Sequence, residues 1–346
     1  MSEKKKLLVS GAAGFIGTNF LEKALSKGHK ILAIDCLKYS GIKNNVNRFN
    51  DKKNFEFKKI DILNKKKLER CIKNFRPNFI INFAAESHVD RSIERPMSFI
   101  ETNCLGVINF LQCIKELKLT NITKLVQIST DEVYGEVSFP ATENNRYMPN
   151  SPYSASKASA DLFIRAWDKT FKLKNIILHP SNNYGPRQFP EKLMPLIITN
   201  ALYKKKLPIY GDGMQTREWI FVDDTVDAIL QCLQKKDLIG HLNIGSGQRY
   251  TNLQIVKKIC LILDSLLNEK KFKHSSLIYF TKDRPGHDKK YAINSKIAFN
   301  KLGWKPKTTI EDGLLKTVKW YIDNEKWWKE ILKKKYDGGR LGLIKK

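Results

Sequence analysis

A glycine-rich turn near the start of the chain constrains the fold more than any other feature. The apolar run at residues 6–10 predicts a short strand, which leads directly into Gly11-Ala-Ala-Gly14-Phe-Ile-Gly17. Residues 18–27 have the pattern of an amphipathic helix, and residues 29–35 predict a second strand that ends at Asp35. Because a strand precedes the glycines and a helix and a strand follow them, the pattern indicates a βαβ unit.

The same unit predicts a binding site for a dinucleotide. Glycines permit a tight turn and let the backbone approach a pyrophosphate, which then lies at the positive end of the helix. Asp35 has the position of an acid that accepts hydrogen bonds from the adenosine ribose. No arginine follows Asp35 directly to hold a 2′-phosphate, so we predict NAD rather than NADP. A glycine turn without a ligand is the alternative.

Strands and helices alternate along the first 180 residues. After the βαβ unit, we predict strands at 55–62, 79–85, 124–129 and 175–179, and helices at 64–75, 97–118 and 153–172. This alternation predicts the α/β class, with a Rossmann-like doubly wound parallel sheet. Beyond residue 180 the alternation weakens, and we predict helices at 191–204, 224–236, 251–268, 294–302 and 311–333.

The second half of the chain is predicted to form a smaller α/β substrate-binding lobe. No repeat or low-complexity linker separates the halves, so we expect the lobe to be interwoven with the first domain. We predict an NAD-binding domain of residues 1–180 plus about 217–246, and a substrate-binding domain of 181–216 plus about 247–331. Residues 332–346 are rich in lysine and are predicted to be a solvated basic tail.

The chain is strongly basic, with a formal charge of +27 at pH 7. Arginine supplies only 12 of the 62 basic residues, and the lysines are spread along the whole chain. Specific readers of nucleic acid concentrate their charge and rely on arginine. We therefore expect no nucleic-acid partner, although the same positive field would favour an anionic substrate.

The cysteines, the apolar runs and the N-terminus bear on the compartment. The six cysteines are scattered without a CxxC pair, which favours a reducing cytoplasm. We find no run of about 18 apolar residues, the length that a membrane span requires. The apolar run after the charged N-terminus is too short for a signal peptide, and the histidines lack metal-ligand spacing. We expect a cytoplasmic protein with no membrane span and no metal site.

Polar residues gather where the strand at 124–129 ends. The strand leads directly into Ser129-Thr-Asp-Glu132, and ligands of open α/β sheets bind at the carboxyl ends of strands. The pair Ser151-Pro152 then predicts the start of a helix. On that helix Tyr153 and Lys157 are four residues apart and share one face. A hydroxyl, two carboxylates, a phenol and an ammonium thus provide a complete set of proton-handling groups.

With these motifs in place, the chain resembles the extended short-chain dehydrogenase/reductase family. More narrowly, it is similar to the nucleoside-diphosphate-glucose 4,6-dehydratases, from about residue 6 to residue 330. Four further segments carry the resemblance: Ala84-Ala-Glu-Ser-His-Val-Asp-Arg-Ser92, Ser181-Asn-Asn-Tyr-Gly-Pro186, Phe189-Pro-Glu-Lys-Leu-Met-Pro195 and Asp283-Arg-Pro-Gly-His-Asp288. The Thr-Asp-Glu triplet is the narrow signal, since the 4-epimerases of the same family lack that pair of acids.

The resemblance implies a reaction in which C4 of a hexose is oxidised, water is eliminated across C5 and C6, and hydride returns to C6. Tyr153 would be the base for the C4 hydroxyl, its phenolate stabilised by Lys157, and Thr130 would align the C4 oxygen. Glu132 would remove the C5 proton, and Asp131 would protonate the departing C6 hydroxyl. Adjacent carboxylates repel each other, which favours one protonated and one ionised acid, as an elimination requires.

The resemblance also implies contacts with both ligands. NAD, tightly held and recycled, would contact Gly11, Gly14, Phe15, Ile16, Gly17, Asp35, Asp61, Ala84, Ala85, Ser87, Asn103, Ser129, Tyr153 and Lys157. Asp61 is nearly as well explained as a cap of the next helix. The substrate would contact Ser87, Thr130, Asn182, Glu191, Lys192, Arg217, Arg284 and His287, with the arginines on its pyrophosphate. By analogy with relatives, the helices at 97–118 and 153–172 would form a homodimer.

Several alternatives remain open at this point. The sequence leaves dTDP-glucose and UDP-glucose equally possible as substrates of deoxysugar synthesis, for example of rhamnose. Another sugar-nucleotide enzyme of the family, a 4-epimerase or a decarboxylase, is disfavoured by Asp131 and Glu132. A non-catalytic NAD-binding protein with affinity for nucleic acid is disfavoured by the intact Thr130, Tyr153 and Lys157.

Overall fold

The computed structural model describes residues 3–235, 237–268, 270–336, 338–339 and 341. The strands are β1 (Lys6–Ser10), β2 (Lys30–Asp35), β3 (Phe55–Lys59), β4 (Phe79–Asn82), β5 (Lys124–Ile128), β6 (Asn175–Pro180), β7 (Asn182–Tyr184), β8 (Leu207–Tyr210), β9 (Thr216–Phe221), β10 (Gly240–Ile244), β11 (Arg249–Thr251) and β12 (Ile278–Thr281). The helices are α1 (Phe15–Ser26), α2 (Lys43–Asn47), α3 (Lys65–Phe75), α4 (Val89–Glu94), α5 (Pro96–Phe99), α6 (Gly106–Glu116), α7 (Pro152–Phe171), α8 (Leu193–Leu202), α9 (Val222–Cys232), α10 (Asn252–Leu266), α11 (Lys296–Leu302), α12 (Ile310–Asp323) and α13 (Glu325–Lys334).

Seven parallel strands form the main sheet, in the order β10-β6-β5-β4-β1-β2-β3. Its central strands are mostly apolar and are buried along nearly their whole length, as expected for strands that are covered on both faces. One face packs against α1 and α9, and the other against α3, α6 and α7. The predicted doubly wound α/β fold is therefore confirmed, and the carboxyl ends of all seven strands meet at one edge.

A nearly continuous helical stretch covers part of the second face. It comprises α5, a π-helical segment at Ile100–Leu105 and α6. In the described part of the chain, Pro96–Glu116 is the single helix with the length and apolar character to cross a membrane, and half of it is buried inside the protein. Its buried residues Val107, Phe110 and Leu111 belong to the core beneath the sheet. We therefore interpret it as a core helix.

The second lobe contains two small sheets, β11-β9-β7 and β12-β8, and a core of its own. Strand β9 joins the lobes, because Trp219 and Phe221 point into the second core whereas Ile220 packs into the first. The predicted NAD-binding domain included this strand from about residue 217, but β9 pairs only with strands of the second lobe. The domain boundaries remain a prediction.

Three expectations about helices and the tail were wrong in detail. Helix α1 begins at Phe15 and not at residue 18, because the last glycine of the turn is already helical. The helix predicted at 311–333 is two helices that break at Asn324. In the tail, which was predicted to be solvated, residues 333–335 are exposed, but Tyr336 is buried and packs near Phe189. Residues 337, 340 and 342–346 of the predicted tail lie outside the described residues.

Candidate active site

The glycine turn brings the start of α1 against the end of β4. Gly11 has a φ of +65°, and a Cβ there would lie 2.5 Å from the Ala84 nitrogen. A Cβ on Gly17 would lie 2.3 Å from the carbonyl oxygen of Gly11. No side chain caps α1 at Gly14, and its first turn carries no acid. The positive end of this helix can therefore face an anion such as a pyrophosphate.

We expect Gly11→Ala to abolish stable retention of NAD. The methyl group would meet backbone atoms, which cannot move aside as a flexible side chain can, and the backbone conformation would be strained by about 1–3 kcal/mol. Bound NAD in the purified protein and the thermal midpoint measure the two effects. Gly303→Ala is the matched control: Gly303 has a φ of +69° with open space around it. Loss of NAD in both variants would contradict the assignment of the turn at Gly11 as the binding site for NAD.

Below the turn, a cleft opens between the ends of β1, β2 and β4. This glycine-turn cleft is lined by Gly11, Gly14, Asp35, Asp61, Ala84, Ala85 and neighbouring residues. Asp35 accepts hydrogen bonds from the backbone nitrogens of Ala13 (3.0 Å) and Leu37 (2.7 Å). Burial raises the pKa of Asp35, and these two donors oppose the shift. Each carboxylate oxygen has a second acceptor site, so the residues present fit the ribose of a dinucleotide.

Asp61 and Asn103 have structural roles that the sequence left open or missed. Asp61 accepts a hydrogen bond from the Leu63 nitrogen at 3.0 Å, as a local cap would, yet it also lines the cleft. Asn103 lies in the π-helical segment and lines neither cleft described in this section. Its side-chain oxygen instead accepts a hydrogen bond from the backbone nitrogen of Glu86. Its side-chain nitrogen donates to the backbone oxygen of Glu86 and to the hydroxyl of Ser156. Asn103 thus positions the chain after β4, and its predicted direct contact with NAD stays a prediction.

A second cleft, of about 320 Å³, lies between the end of β5 and the second lobe. We call it the carboxylate cleft. Predicted residues that line it are Phe15, Ile16, Ser87, Ser129, Thr130, Asp131, Glu132, Tyr153, Asn182, Glu191, Lys192, Arg217 and Arg284. The fold thus brings together most of the residues that the sequence assigned to the reaction, although they span 270 positions of the chain.

The two carboxylates are presented by a short helical turn after β5. Thr130 is extended and caps the 3₁₀ turn Asp131–Tyr134, and its hydroxyl accepts from the Glu132 nitrogen at 3.3 Å. The same hydroxyl lies 3.3 Å from Asp131 Oδ1, to which it donates. Oδ2 of Asp131 is buried and has no hydrogen-bond partner among the described residues. One oxygen of this acid is therefore free to engage a substrate.

The carboxylates differ in their surroundings. Burial raises the pKa of Asp131 well above its ordinary value, and the charges of Glu132 and Glu218 add to the shift. Burial also raises the pKa of Glu132, but the cations Arg284, Arg217 and Lys192 oppose that shift. Asp131 is thus the acid more readily kept protonated at neutral pH, and Glu132 the one more readily ionised.

Helix α7 places Tyr153 and Lys157 beside the carboxylates. A capping box fixes its start, because Ser151 and Ser154 exchange side chain to backbone hydrogen bonds. Tyr153 lines the cleft, whereas Lys157 is buried behind it and donates to the Ile128 oxygen at 2.6 Å. Burial and Glu132 raise the pKa of Tyr153, and a hydrogen bond with Thr130 opposes the shift. Burial lowers the pKa of Lys157 to about 8.

Three cations, Arg284, Arg217 and Lys192, line the carboxylate cleft, and we call them the cation wall. Arg284 donates to Asp90 at 2.9 Å, and Lys192 donates to the Ser87 oxygen at 2.5 Å. Arg217 donates to the Asp288 oxygen at 2.9 Å. Burial on its own would lower the pKa of Arg284, but Asp90 and Glu132 raise it overall. Guanidinium groups held in this way can bind phosphate oxygens in a forked geometry.

The remaining predicted substrate residues divide into two kinds. Asn182 lines the cleft, and its Oδ1 has no hydrogen-bond partner among the described residues. Glu191 is buried and pairs with Arg91 at 2.9 Å, so it holds a cation as well as lining the cleft. His287 does not line the cleft, because its ring is held at 2.7 Å by Asp283. The predicted substrate contact of His287 stays a prediction.

Sequence reasoning missed several residues around this site. Asp90 binds Arg284 across 194 positions of the chain, and no local pattern reveals such a pair. Asp161 lies behind the cleft and accepts from Ser129 at 2.5 Å. A signal for Asp161 was present, because it follows Tyr153 by eight residues and Lys157 by four, on the same face of α7.

The arrangement suits an oxidation followed by an elimination. A phenol, a threonine hydroxyl and two acids in different electrostatic surroundings line one cleft, next to a glycine turn that fits NAD. The cation wall can hold a diphosphate with the rest of the ligand directed toward the acids. General acid and general base groups of this kind contribute about 10²–10⁴-fold each to a proton transfer.

Comparison with known proteins identifies relatives over nearly the whole chain. A sequence model described as GDP-mannose 4,6 dehydratase matches residues 8–317. A dTDP-glucose 4,6-dehydratase of Neisseria meningitidis serogroup B is 41% identical over 354 residues, covering 99% of this chain and 100% of that protein. The crystal structure of the dTDP-glucose 4,6-dehydratase of Bacillus anthracis in complex with NAD is 42% identical, with a TM-score of 0.84, covering 94% of this chain and 99% of that one.

A solved 4-epimerase gives a useful contrast. The UDP-glucose 4-epimerase of Thermotoga maritima, with UDP-glucose, has a TM-score of 0.82 but is only 29% identical, covering 92% of this chain and 99% of that one. The folds are thus alike, and the sequence is more similar to the dehydratases. The chain therefore belongs to the GDP-mannose 4,6 dehydratase family, among the extended short-chain dehydrogenase/reductases.

Proposed function

We propose that this chain is an NAD-dependent dTDP-glucose 4,6-dehydratase, which forms the 4-keto-6-deoxy sugar nucleotide and water. One observation carries the proposal: Asp131 and Glu132 line the same cleft as Tyr153, and Asp131 is buried so that it keeps its proton. An epimerase inverts one carbon and needs no acid for a departing hydroxyl. The identity of about 40% to dTDP-glucose 4,6-dehydratases over the whole chain supports the same choice.

Each proton transfer has its own group in this proposal. Tyr153 takes the proton of the C4 hydroxyl, which Thr130 aligns by a hydrogen bond. Glu132 then removes the C5 proton, which the C4 ketone has acidified, and later returns it. Asp131 donates through its unpartnered oxygen to the departing C6 hydroxyl. The buried Lys157 favours the Tyr153 phenolate through its charge.

NAD bound at the glycine turn would supply the reversible hydride chemistry, taking hydride from C4 and returning it to C6. The chain's own part is to hold the dinucleotide through the catalytic cycle, because each turnover regenerates the oxidised form. Gly11, Gly14 and the start of α1 would hold the pyrophosphate, and Asp35 the adenosine ribose. We therefore expect the protein to be purified with NAD attached.

The cation wall supports a nucleoside diphosphate as the handle of the substrate. Arg217, Arg284 and Lys192 line the same cleft as the carboxylates, where a diphosphate would neutralise their charge. The test is a side-by-side assay of dTDP-glucose, UDP-glucose and GDP-mannose, scored for the 4-keto-6-deoxy product. We expect dTDP-glucose to have the highest kcat/KM. A 4-epimer as the product, or no product from any of the three, would refute the proposed function.

We further propose that the enzyme is a homodimer. Met97, Ile100 and Leu105 on the stretch 96–116 are exposed, as are Leu162 and Phe163 on the neighbouring helix α7. A patch of large apolar side chains on two packed helices favours association with a second copy of the chain. The same helices were predicted to pair in the sequence analysis.

We expect Leu162→Glu to give a monomer in sedimentation velocity experiments. Leu162 is 53% exposed, so the charge would be tolerated in the monomer, but it would be desolvated in a dimer at a penalty of at least about 2 kcal/mol. Leu261→Glu is the matched control, because Leu261 is 67% exposed on α10 in the second lobe. A dimer that persists in Leu162→Glu would exclude this face.

We propose the cytoplasm as the site of action. All six cysteines are free, and Cys71, Cys104, Cys113, Cys232 and Cys260 are buried. Burial raises the pKa of Cys113 and of Cys232 to about 12, which keeps these thiols in their unreactive form. Unpaired cysteines of this kind suit a reducing compartment. Fractionation of cells followed by immunoblotting tests the assignment, which a membrane-bound or secreted pool would contradict.

A further inference from the structure

A buried acid behind Lys157 takes no part in the mechanism described so far. Asp161 follows Lys157 by four residues on α7, and the two side chains are 1% and 2% exposed. Residues at this spacing are neighbours on one face of a helix. Oδ2 of Asp161 accepts from Ser129 at 2.5 Å and lies 3.2 Å from His179 Nε2. Oδ1 has no hydrogen-bond partner among the described residues.

An ammonium group in this position needs a counter-charge. Burial favours the neutral form of an amine, and a buried ion without a partner is strongly destabilised. Among the described residues, Lys157 has one hydrogen bond, to the uncharged oxygen of Ile128. Burial lowers the pKa of Lys157 to about 8, and the charge of Asp161 opposes this shift. The charges of Glu132, Asp131 and Asp161 all raise the pKa of Tyr153, whereas Asp161 is the acid whose charge acts on Lys157.

We propose that Asp161 is the counter-ion of Lys157, a positioning residue that keeps the buried ammonium charged so that it can stabilise the Tyr153 phenolate. The inference rests on the proposed function, in which Lys157 must be charged while C4 is oxidised. Ser129, just after β5, and His179 on β6 hold the carboxylate in place.

Other ionisable groups lie around Asp161. They are Tyr134 on the 3₁₀ turn, Tyr147 on the following loop, His179 on β6, His241 on β10 and Arg165 on α7. Burial lowers the pKa of His241, and burial raises the pKa values of Tyr134 and Tyr147, so all three stay neutral near pH 7. Arg165 is exposed, and solvent screens its charge.

The pH dependence of NAD reduction tests the proposal. In a single turnover of the holoenzyme, the rate at which substrate reduces bound NAD should fall above about pH 8, as Lys157 loses its proton. Asp161→Asn keeps the shape of the side chain and removes its charge. In this variant we expect the decrease in the rate of NAD reduction to occur at a pH lower by about one unit or more. A neighbouring opposite charge typically raises the pKa of an ammonium by that amount, and the substitution removes this charge. Asp161→Glu should move the decrease back toward the wild-type position.

Two further variants separate the possible causes. Asp168→Asn removes a negative charge two turns further along α7. It should not change the pH at which the rate of NAD reduction decreases. Lys157→Arg stays charged across this range and should remove the fall. A fall that persists in Lys157→Arg would overturn both the proposed role of Lys157 and the counter-ion. If Lys157→Arg removes the fall and Asp161→Asn leaves it unmoved, the counter-ion proposal alone is overturned. Asp161→Ser gives the same comparison if the Asn variant does not fold.

Discussion

Glu132→Gln should form reduced NAD from bound substrate and then stop. The substitution leaves Tyr153, Thr130 and Lys157 in place, so oxidation at C4 should proceed to the ketone. The amide cannot take the C5 proton, and we expect turnover to fall by about 10²–10⁴-fold, the usual contribution of a general base. Mixing the variant with dTDP-glucose should give a stable rise in the absorbance of the reduced nicotinamide, whereas the wild type should show only a transient.

The controls for Glu132→Gln address fold and charge. Glu136→Gln makes the same change four residues along the chain at an exposed position, and it should turn over at close to the wild-type rate. Exchange of the C5 hydrogen with deuterated solvent provides a second measurement, since it requires a base at C5 and should be lost in Glu132→Gln alone. Normal turnover of Glu132→Gln, or undiminished exchange at C5, would show that another group takes this proton.

Sequence patterns anticipated those parts of the molecule that are specified locally. The glycine turn, the end of β5 and the Tyr153 helix each depend on residues within about one helical turn of one another, and all three lie where their patterns placed them. Parallel topology then brings them together, since the carboxyl ends of neighbouring strands meet at one edge. The family was recognisable for the same reason.

The features that the sequence did not predict depend on contacts between distant segments of the chain. Strand β9 contains alternating residues for two different cores, so its pattern does not reveal which sheet it joins. Helices α12 and α13 share one continuous apolar pattern, and the break at Asn324 lets Trp320 and Trp327 pack edge to face at 5.0 Å. His287 lies within a family motif, yet its ring is bound by Asp283 and does not line the carboxylate cleft. Pairings of this kind are set by packing rather than by spacing.

Asp131→Asn should lose activity with dTDP-glucose and recover most of it with the 6-deoxy-6-fluoro analogue. Burial and the charge of Glu132 keep the pKa of Asp131 raised, so the acid holds a proton at neutral pH and can give it to the departing hydroxyl. Asparagine cannot donate a proton to the departing hydroxyl, and we expect kcat to fall by about 10²–10⁴-fold. Fluoride departs as an anion without prior protonation, so the loss with the fluoro analogue should be roughly tenfold or less.

The wild-type pH profile gives the same assignment by an independent route. A raised pKa means that Asp131 is protonated below that pKa and loses its proton only as the pH rises through it. With dTDP-glucose, kcat should therefore fall on the alkaline side, and the fall should be absent with the fluoro analogue if elimination limits both rates. Glu132→Gln provides the contrast, because a missing base at C5 blocks both substrates alike. An equal loss of activity with both substrates in Asp131→Asn would exclude this residue as the general acid.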